Sequence, residues 1–142
     1  MINLQLVTLS GPKFQEDVYE IILPTAEGNI AVYPSHMPLV SVVIPGVISV
    51  RRKRTDSNDQ VEHFATNGGV VEIGSDTMRL LVDEADHADE IVEQEAKEAL
   101  ERAKQLKAEA KDEIAIERAN ALIDRQEVRL KVAELRRHRK RV

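Results

Sequence analysis

Every glycine and every proline in the chain lies before Asp89, and this asymmetry limits the possible folds more than any other feature. The first 88 residues hold all 6 glycines and all 5 prolines, set at short intervals: Gly11-Pro12, Pro24, Glu27-Gly28-Asn29, Pro34, Pro45-Gly46, Asn67-Gly68-Gly69 and Gly74-Ser75-Asp76. Breakers at this density exclude long helices and leave room only for short extended runs joined by turns. Between them the apolar residues alternate. Ile2, Leu4 and Leu6 are separated by Asn3 and Gln5; Val61, His63 and Ala65 alternate with Glu62, Phe64 and Thr66; Met78, Leu80 and Val82 alternate with Arg79, Leu81 and Asp83. A period of two places every second side chain on one face, so many short strands in a sandwich or barrel are expected. Val50 to Val61 reads as a hairpin turning at Asp56–Asp59, with Arg51, Arg52, Lys53 and Arg54 on an exposed arm at a sheet edge or rim.

From Asp89 the period becomes helical. Ala88, Ile91, Val92, Ala96, Ala99, Leu100, Ala103, Leu106 and Ala110 form one stripe at spacings of three and four; Ile116, Ala119, Ile123, Gln126, Leu130 and Ala133 form a second. The stripes lose phase near residues 111–113, which predicts two amphipathic helices with a break there. Alanine lets the helices approach closely but buries little area per side chain, so the pair should be weakly held. All four aromatics, Phe14, Tyr19, Tyr33 and Phe64, belong to the first half.

Charge follows the same division. Residues 1–88 carry 6 Lys/Arg against 12 Asp/Glu, whereas residues 89–142 carry 14 against 13. With 142 residues, 42% hydrophobic and 32% charged, the chain has the balance of a globular protein. Its longest apolar region, Met37 to Val50, is broken by prolines and falls short of the roughly 20 residues that cross a bilayer. No membrane insertion of its own is expected. Met1 to Phe14 shows neither a secretory nor an organellar targeting pattern. The absence of cysteine excludes disulfides, thiolate metal sites and thiol nucleophiles.

The candidate chemical sites are sparse. Asp83, Glu84, Asp86, His87, Asp89 and Glu90 form the densest group of possible metal ligands, but they lie where strand gives way to helix, and there acids cap free N–H groups; capping is the favoured reading and no metal is expected. Ser35-His36 lacks a nucleophile elbow, and Glu62 and His63 face opposite sides of one strand. No phosphate-cradling glycine motif is present, so no cofactor and no catalytic residue is expected. The last helix ends in Arg136, Arg137, His138, Arg139, Lys140 and Arg141, and residues 125–142 hold eight basic and two acidic side chains. A helix C-terminus favours one or two cations. The surplus calls for an acidic partner, though not nucleic acid: no aromatic is interleaved for base stacking, and the pI is near 5.4.

Three stretches resemble the epsilon subunit of bacterial F-type ATP synthases. Glu27-Gly28-Asn29-Ile30-Ala31-Val32-Tyr33-Pro34-Ser35-His36-Met37-Pro38-Leu39 is similar to that family's acidic-Gly, Tyr-Pro, His-x-Pro-Leu signature; Pro45-Gly46-Val47-Ile48 and Asn67-Gly68-Gly69-Val70-Val71-Glu72-Ile73 resemble its Pro-Gly and Gly-Gly-x-x-Glu segments. Ala31 and Ser35 stand where glycine is common in the family, and Asn67 where serine is usual. The resemblance implies an α+β chain, with an N-terminal antiparallel β-sandwich over residues 1–87 and a C-terminal two-helix antiparallel hairpin over residues 88–142. It further implies a non-catalytic central-stalk rotor subunit of the proton-translocating enzyme, peripheral on the cytoplasmic side of the plasma membrane. The turn Glu27, Gly28, Asn29 would face the ring of c subunits and His36 the gamma subunit. Arg136, Arg137, Arg139, Lys140 and Arg141 would form an inhibitory tail that meets the alpha and beta subunits when the hairpin extends. Family members that bind ATP carry Ile/Leu-Asp-x-x-Arg-Ala. Here Ile114, Arg118, Ala119 and, further along, Arg125 remain, but Ala115 replaces the aspartate, which implies weak or absent ATP binding. From another class, a ligand-binding sandwich adaptor whose helices oligomerise it is the competing expectation.

Overall fold

A computed structural model describes the backbone of residues 1–141 and the side chains through residue 136. Ten strands come first: β1 (Ile2–Thr8), β2 (Gly11–Val18), β3 (Glu20–Thr25), β4 (Gly28–Val32), β5 (Leu39–Val43), β6 (Gly46–Arg51), β7 (Glu62–Thr66), β8 (Gly69–Ile73), β9 (Thr77–Val82) and β10 (Ala85–His87). Two helices follow, α1 (Glu93–Glu109) and α2 (Glu113–Arg141). The break between them, residues 110–112, falls at the predicted loss of phase. Asp112 marks it chemically: its Oδ1 accepts the Ala115 N–H at 2.8 Å, capping α2.

The strands run in the order β10-β7-β6-β3-β5-β8-β9-β1-β2, with β4 also paired to β3. One pairing, Thr25 with Val43, joins β3 to β5, so the sheet folds there into two layers. The first layer is β10-β7-β6-β3-β4 and the second β5-β8-β9-β1-β2. Among the described residues every pairing is antiparallel except β1 with β9, which is parallel. The layers bury Ile21, Leu23, Ile48 and Phe64 of the first against Leu4, Val71, Met78 and Leu80 of the second. These inward side chains are the alternating positions read from β1 and β9. Gly69 permits the close approach of β8 and β9, because a Cβ there would meet the Leu81 carbonyl oxygen at 2.0 Å.

Two expectations are corrected. Alternation fails in β7, where Phe64, Ala65 and Thr66 are all buried. Phe64 faces the sandwich core, while Ala65 faces outward into a second cluster with Ala88, Ile91, Val132 and Ala133. The strand lies under α2 and is buried on both faces. The basic run is also not an exposed strand arm. β6 ends at Arg51, whose guanidinium pairs with Glu20 at 3.2 Å and donates to the Asp56 carbonyl and Asn58 Oδ1 at 2.6 and 2.8 Å. Arg52 pairs with Glu62 at 3.1 Å and also with Glu16, and lies over the Phe14 ring. These two arginines pin the β6–β7 loop to the sandwich. Lys53 and Arg54 remain exposed in it.

Candidate docking surface

The helices cover only one side of the sandwich. α2 lies on the first layer, where Val128, Val132 and Ala133 meet Val47, Ala65, Ala88 and Ile91. Ala96 and Ala103 of α1 and Ala119 and Gln126 of α2 are also buried, as the two stripes require, whereas Leu106 and Ile116 are exposed. The outer face of the second layer carries no helix. Val42, Val70 and Leu81 are neighbours across β5, β8 and β9 and are 57%, 39% and 42% exposed. Val40 beside them is 70% exposed, and Ile44 and Met37 extend the apolar strip at its two ends. A contiguous row of aliphatic side chains held outward on a sheet marks a surface for another macromolecule.

The two expected partner-binding positions fall at opposite ends of β4. Glu27 and Gly28 form the β3–β4 turn, with Gly28 at φ +117°. Thr25 Oγ1 donates to the Gly28 carbonyl at 2.6 Å and accepts the Glu27 N–H at 3.3 Å. Asn29 is exposed beside it. His36 lies past the other end of β4, about 16 Å away along a five-residue strand. Its Nδ1 is 2.6 Å from the Met37 carbonyl oxygen, and Ser35 adopts φ 65° while donating its N–H to Ser75 at 2.9 Å. His36 therefore borders the apolar strip through Met37, and the Glu27 turn borders it through Val42 and Ile44, which bond to Ala26 and Pro24.

The acidic segment divides its work. His87 Nδ1 accepts the Asp89 N–H at 3.1 Å and Glu90 accepts the His87 N–H at 3.2 Å, capping the short 3-10 turn Ala88–Glu90 rather than α1, whose N-cap is Val92. Glu84 and Asp86 instead face α2, 2.7 and 3.1 Å from the guanidinia of Arg125 and Arg129. No metal-binding group is found among the described residues. Asn67 holds this segment in place, its Oδ1 accepting the Glu84 N–H at 3.0 Å.

Of the degenerate nucleotide motif, Arg118 and Arg125 line one open cleft of about 590 Å³ between α2 and the end of the sandwich. Ile114 is 63% exposed and Ala119 is buried, so the four residues do not converge. Asp83, Glu84 and Asp124 share the cleft, leaving it net acidic and unsuited to phosphate. In the tail, the Arg136 guanidinium donates to the Ala88 carbonyl at 2.9 Å. The side chains of Arg137, Arg139, Lys140 and Arg141 lie outside the described residues. Sequence reading missed the hydrogen bond between Ser49 Oγ and His63 Nδ1 at 2.8 Å, a cross-strand pair of β6 and β7 visible only once the register is known. It also missed the strip, since Val40 and Val42 were legible only as part of an apolar run.

A family model described as ATP synthase, Delta/Epsilon chain, beta-sandwich domain matches residues 1–88. The chain is 33% identical over 138 residues to the ATP synthase epsilon chain of Herpetosiphon aurantiacus, covering 97% of this chain and 98% of that one. It is 32% identical over 132 residues to that of Moorella thermoacetica, covering 93% and 96%. In fold it is similar to a chain in the cryo-EM structure of the Euglena gracilis mitochondrial ATP synthase OSCP/F1/c-ring, with a TM-score of 0.78 at 24% identity, over 94% of this chain and 81% of that one. A chain in the Tetrahymena thermophila central stalk/c-ring structure gives 0.58 at 16% identity, over 92% and 94%. On its sandwich, its hairpin and relatives matched along nearly their whole length, the chain belongs to the ATP synthase epsilon chain family.

Proposed function

We propose that this protein is a non-catalytic rotor subunit of a bacterial F-type ATP synthase, in which the sandwich joins the gamma subunit to the ring of c subunits and the hairpin restrains ATP hydrolysis. The observation that carries the reading is the outward strip of Val40, Val42, Val70 and Leu81, left open while the opposite layer is closed by helices. The strip suits a broad apolar neighbour such as gamma, with His36 at its border; the Glu27 turn, at the far end of β4, is free to meet the ring. Among the described residues no helix is long and apolar enough to cross a membrane, so attachment to the cytoplasmic side of the plasma membrane runs through these partners. The basic end of α2 docks on acidic surface of the alpha and beta subunits when the hairpin extends. A ligand-binding adaptor finds less support, because the one cleft that could hold a ligand is lined by charges that pair with each other.

Co-purification from bacterial membranes tests the reading. The tagged native chain should recover gamma and the large ATPase subunits. Changing Val42, Val70 and Leu81 to Asp, all outward and outside the core, should abolish that recovery while the chain stays folded. Undiminished recovery would remove the strip from the interface.

A further inference from the structure

Three arginines of α2 reach one short segment of the head. Arg125 lies 2.7 Å from Glu84, Arg129 lies 3.1 Å from Asp86, and Arg136 donates to the Ala88 carbonyl at 2.9 Å. Spaced by four and seven residues, they share one face of the helix with Val128 and Val132. That face is therefore basic with an aliphatic strip, and the segment Glu84–Ala88 is its complement: two carboxylates and a carbonyl beside Ala88. The fit is incomplete. Glu84 Oε2, Arg125 Nε and Arg129 Nε are buried without a hydrogen-bond partner, the close Glu84–Arg125 ion pair being poorly aligned for one. Buried donors left unmet lower the hold of this contact relative to any acidic surface that satisfies them.

We propose that Glu84 and Asp86 act as an internal competitor: they occupy the arginine face of α2 and so keep it from the acidic surface of the catalytic subunits. The inference rests on the reading of the hairpin as a restraint on hydrolysis. One helix face cannot serve both surfaces, so the two contacts exclude each other, and the carboxylates of the head set how much of the hairpin is available to inhibit. The competition fixes a sign that a purely supporting role would not. Neutralising the carboxylates frees the arginines and strengthens inhibition, whereas neutralising the arginines weakens both contacts at once.

The test uses the full chain, alone and in the assembled enzyme. The sequence lacks cysteine, so Arg54→Cys and Lys111→Cys accept a donor and acceptor dye pair without other labelling. In the isolated chain, Glu84→Gln with Asp86→Asn should raise the ratio of detached to latched hairpin about three- to ten-fold, the effect of losing two partly exposed ion pairs. In the enzyme the same pair should lower ATP hydrolysis below that of the native chain. Glu84→Asp with Asp86→Glu keeps the charges and should stay near native, and equal melting temperatures show that the heads are intact. An unchanged dye ratio overturns the latch by itself. A third chain, with Arg137, Arg139, Lys140 and Arg141 changed to Ala and Arg136 kept, separates the two readings. If it relieves inhibition while the neutral pair leaves hydrolysis unchanged or raised, the competitor fails and the restraint stands. If it relieves nothing, the restraint itself fails, and the competitor with it.

Discussion

Glu90 closes the turn that leads from the last strand towards the first helix. Burial by itself pushes its carboxyl up, yet the Lys13 hydrogen bond, the His87 N–H and the neighbouring positive charge together hold it below the ordinary carboxylate value. Lys13 Nζ donates to Glu90 Oε2 at 2.7 Å, tying β2 to the turn. Because the folded-state pKa is lowered, the contribution to stability is present above the unfolded value near 4.5 and is lost as pH falls through the folded one. Both side chains are partly exposed, so the pair contributes only about 0.2–1 kcal/mol after solvent screening. Thermal melts of the native chain and Glu90→Gln should differ by that amount at pH 7 and converge near pH 3; a gap that is constant with pH contradicts the assignment. The nucleotide motif is argued at the same scale. With Ala115 in place of an aspartate, and Ile114 and Ala119 turned away from Arg118 and Arg125, calorimetric titration should find ATP binding weaker than micromolar. Sub-micromolar affinity in the native chain refutes this.

Among the elements, the α1–α2 seam depends on small side chains. Ala96, Ala103, Ala119 and Ala133 are almost wholly buried, and the neighbouring Leu106 and Ile116 contribute little. Ala103→Leu should overpack the seam by about 1–3 kcal/mol and speed amide exchange in both helices while leaving the strands unchanged; slow exchange in the helices contradicts close alanine packing. This seam was legible in the sequence because helical stripes are local. So were β1 and β9, whose alternation matches the buried side chains of the core. The misreadings share one cause. Period two reports that the sides of a strand differ but not what covers each side, so β7 under α2 and the open strip on β5, β8 and β9 could not be told apart from ordinary half-buried strands. Arg51 and Arg52 were misplaced for a related reason: their acceptors, Glu20, Glu16 and Glu62, are remote in sequence or paired only through the hairpin register. The parallel pairing of β1 with β9 is likewise a property of topology. For the candidate site, the Glu27 turn was visible through its glycine and the basic tail through its charge, whereas the latch of Arg125 and Arg129 on Glu84 and Asp86 needed the helix laid on the sheet.

At the scale of the whole molecule, the head and the hairpin are joined by weak means: aliphatic contacts of mostly small residues and partly exposed ion pairs. A hairpin held in this way can exchange positions, and a shift from 1:99 to 99:1 requires about 5.5 kcal/mol of differential binding from the catalytic subunits. If the basic end of α2 supplies it by charge, screening over about 8 Å at physiological salt should weaken inhibition as ionic strength rises. Hydrolysis across a salt series should show this loss with the native tail and a flat response once Arg136, Arg137, Arg139, Lys140 and Arg141 are Ala; equal inhibition by both tails at every salt concentration contradicts electrostatic docking. The central claim is the division of labour between a coupling head and a restraining hairpin. ATP hydrolysis and ATP-driven proton pumping measured together, in vesicles holding the enzyme with either the full chain or a chain ending at His87, test it most directly. The account predicts that the shortened chain retains pumping and raises hydrolysis. Loss of pumping, with the head still folded and bound, would contradict it.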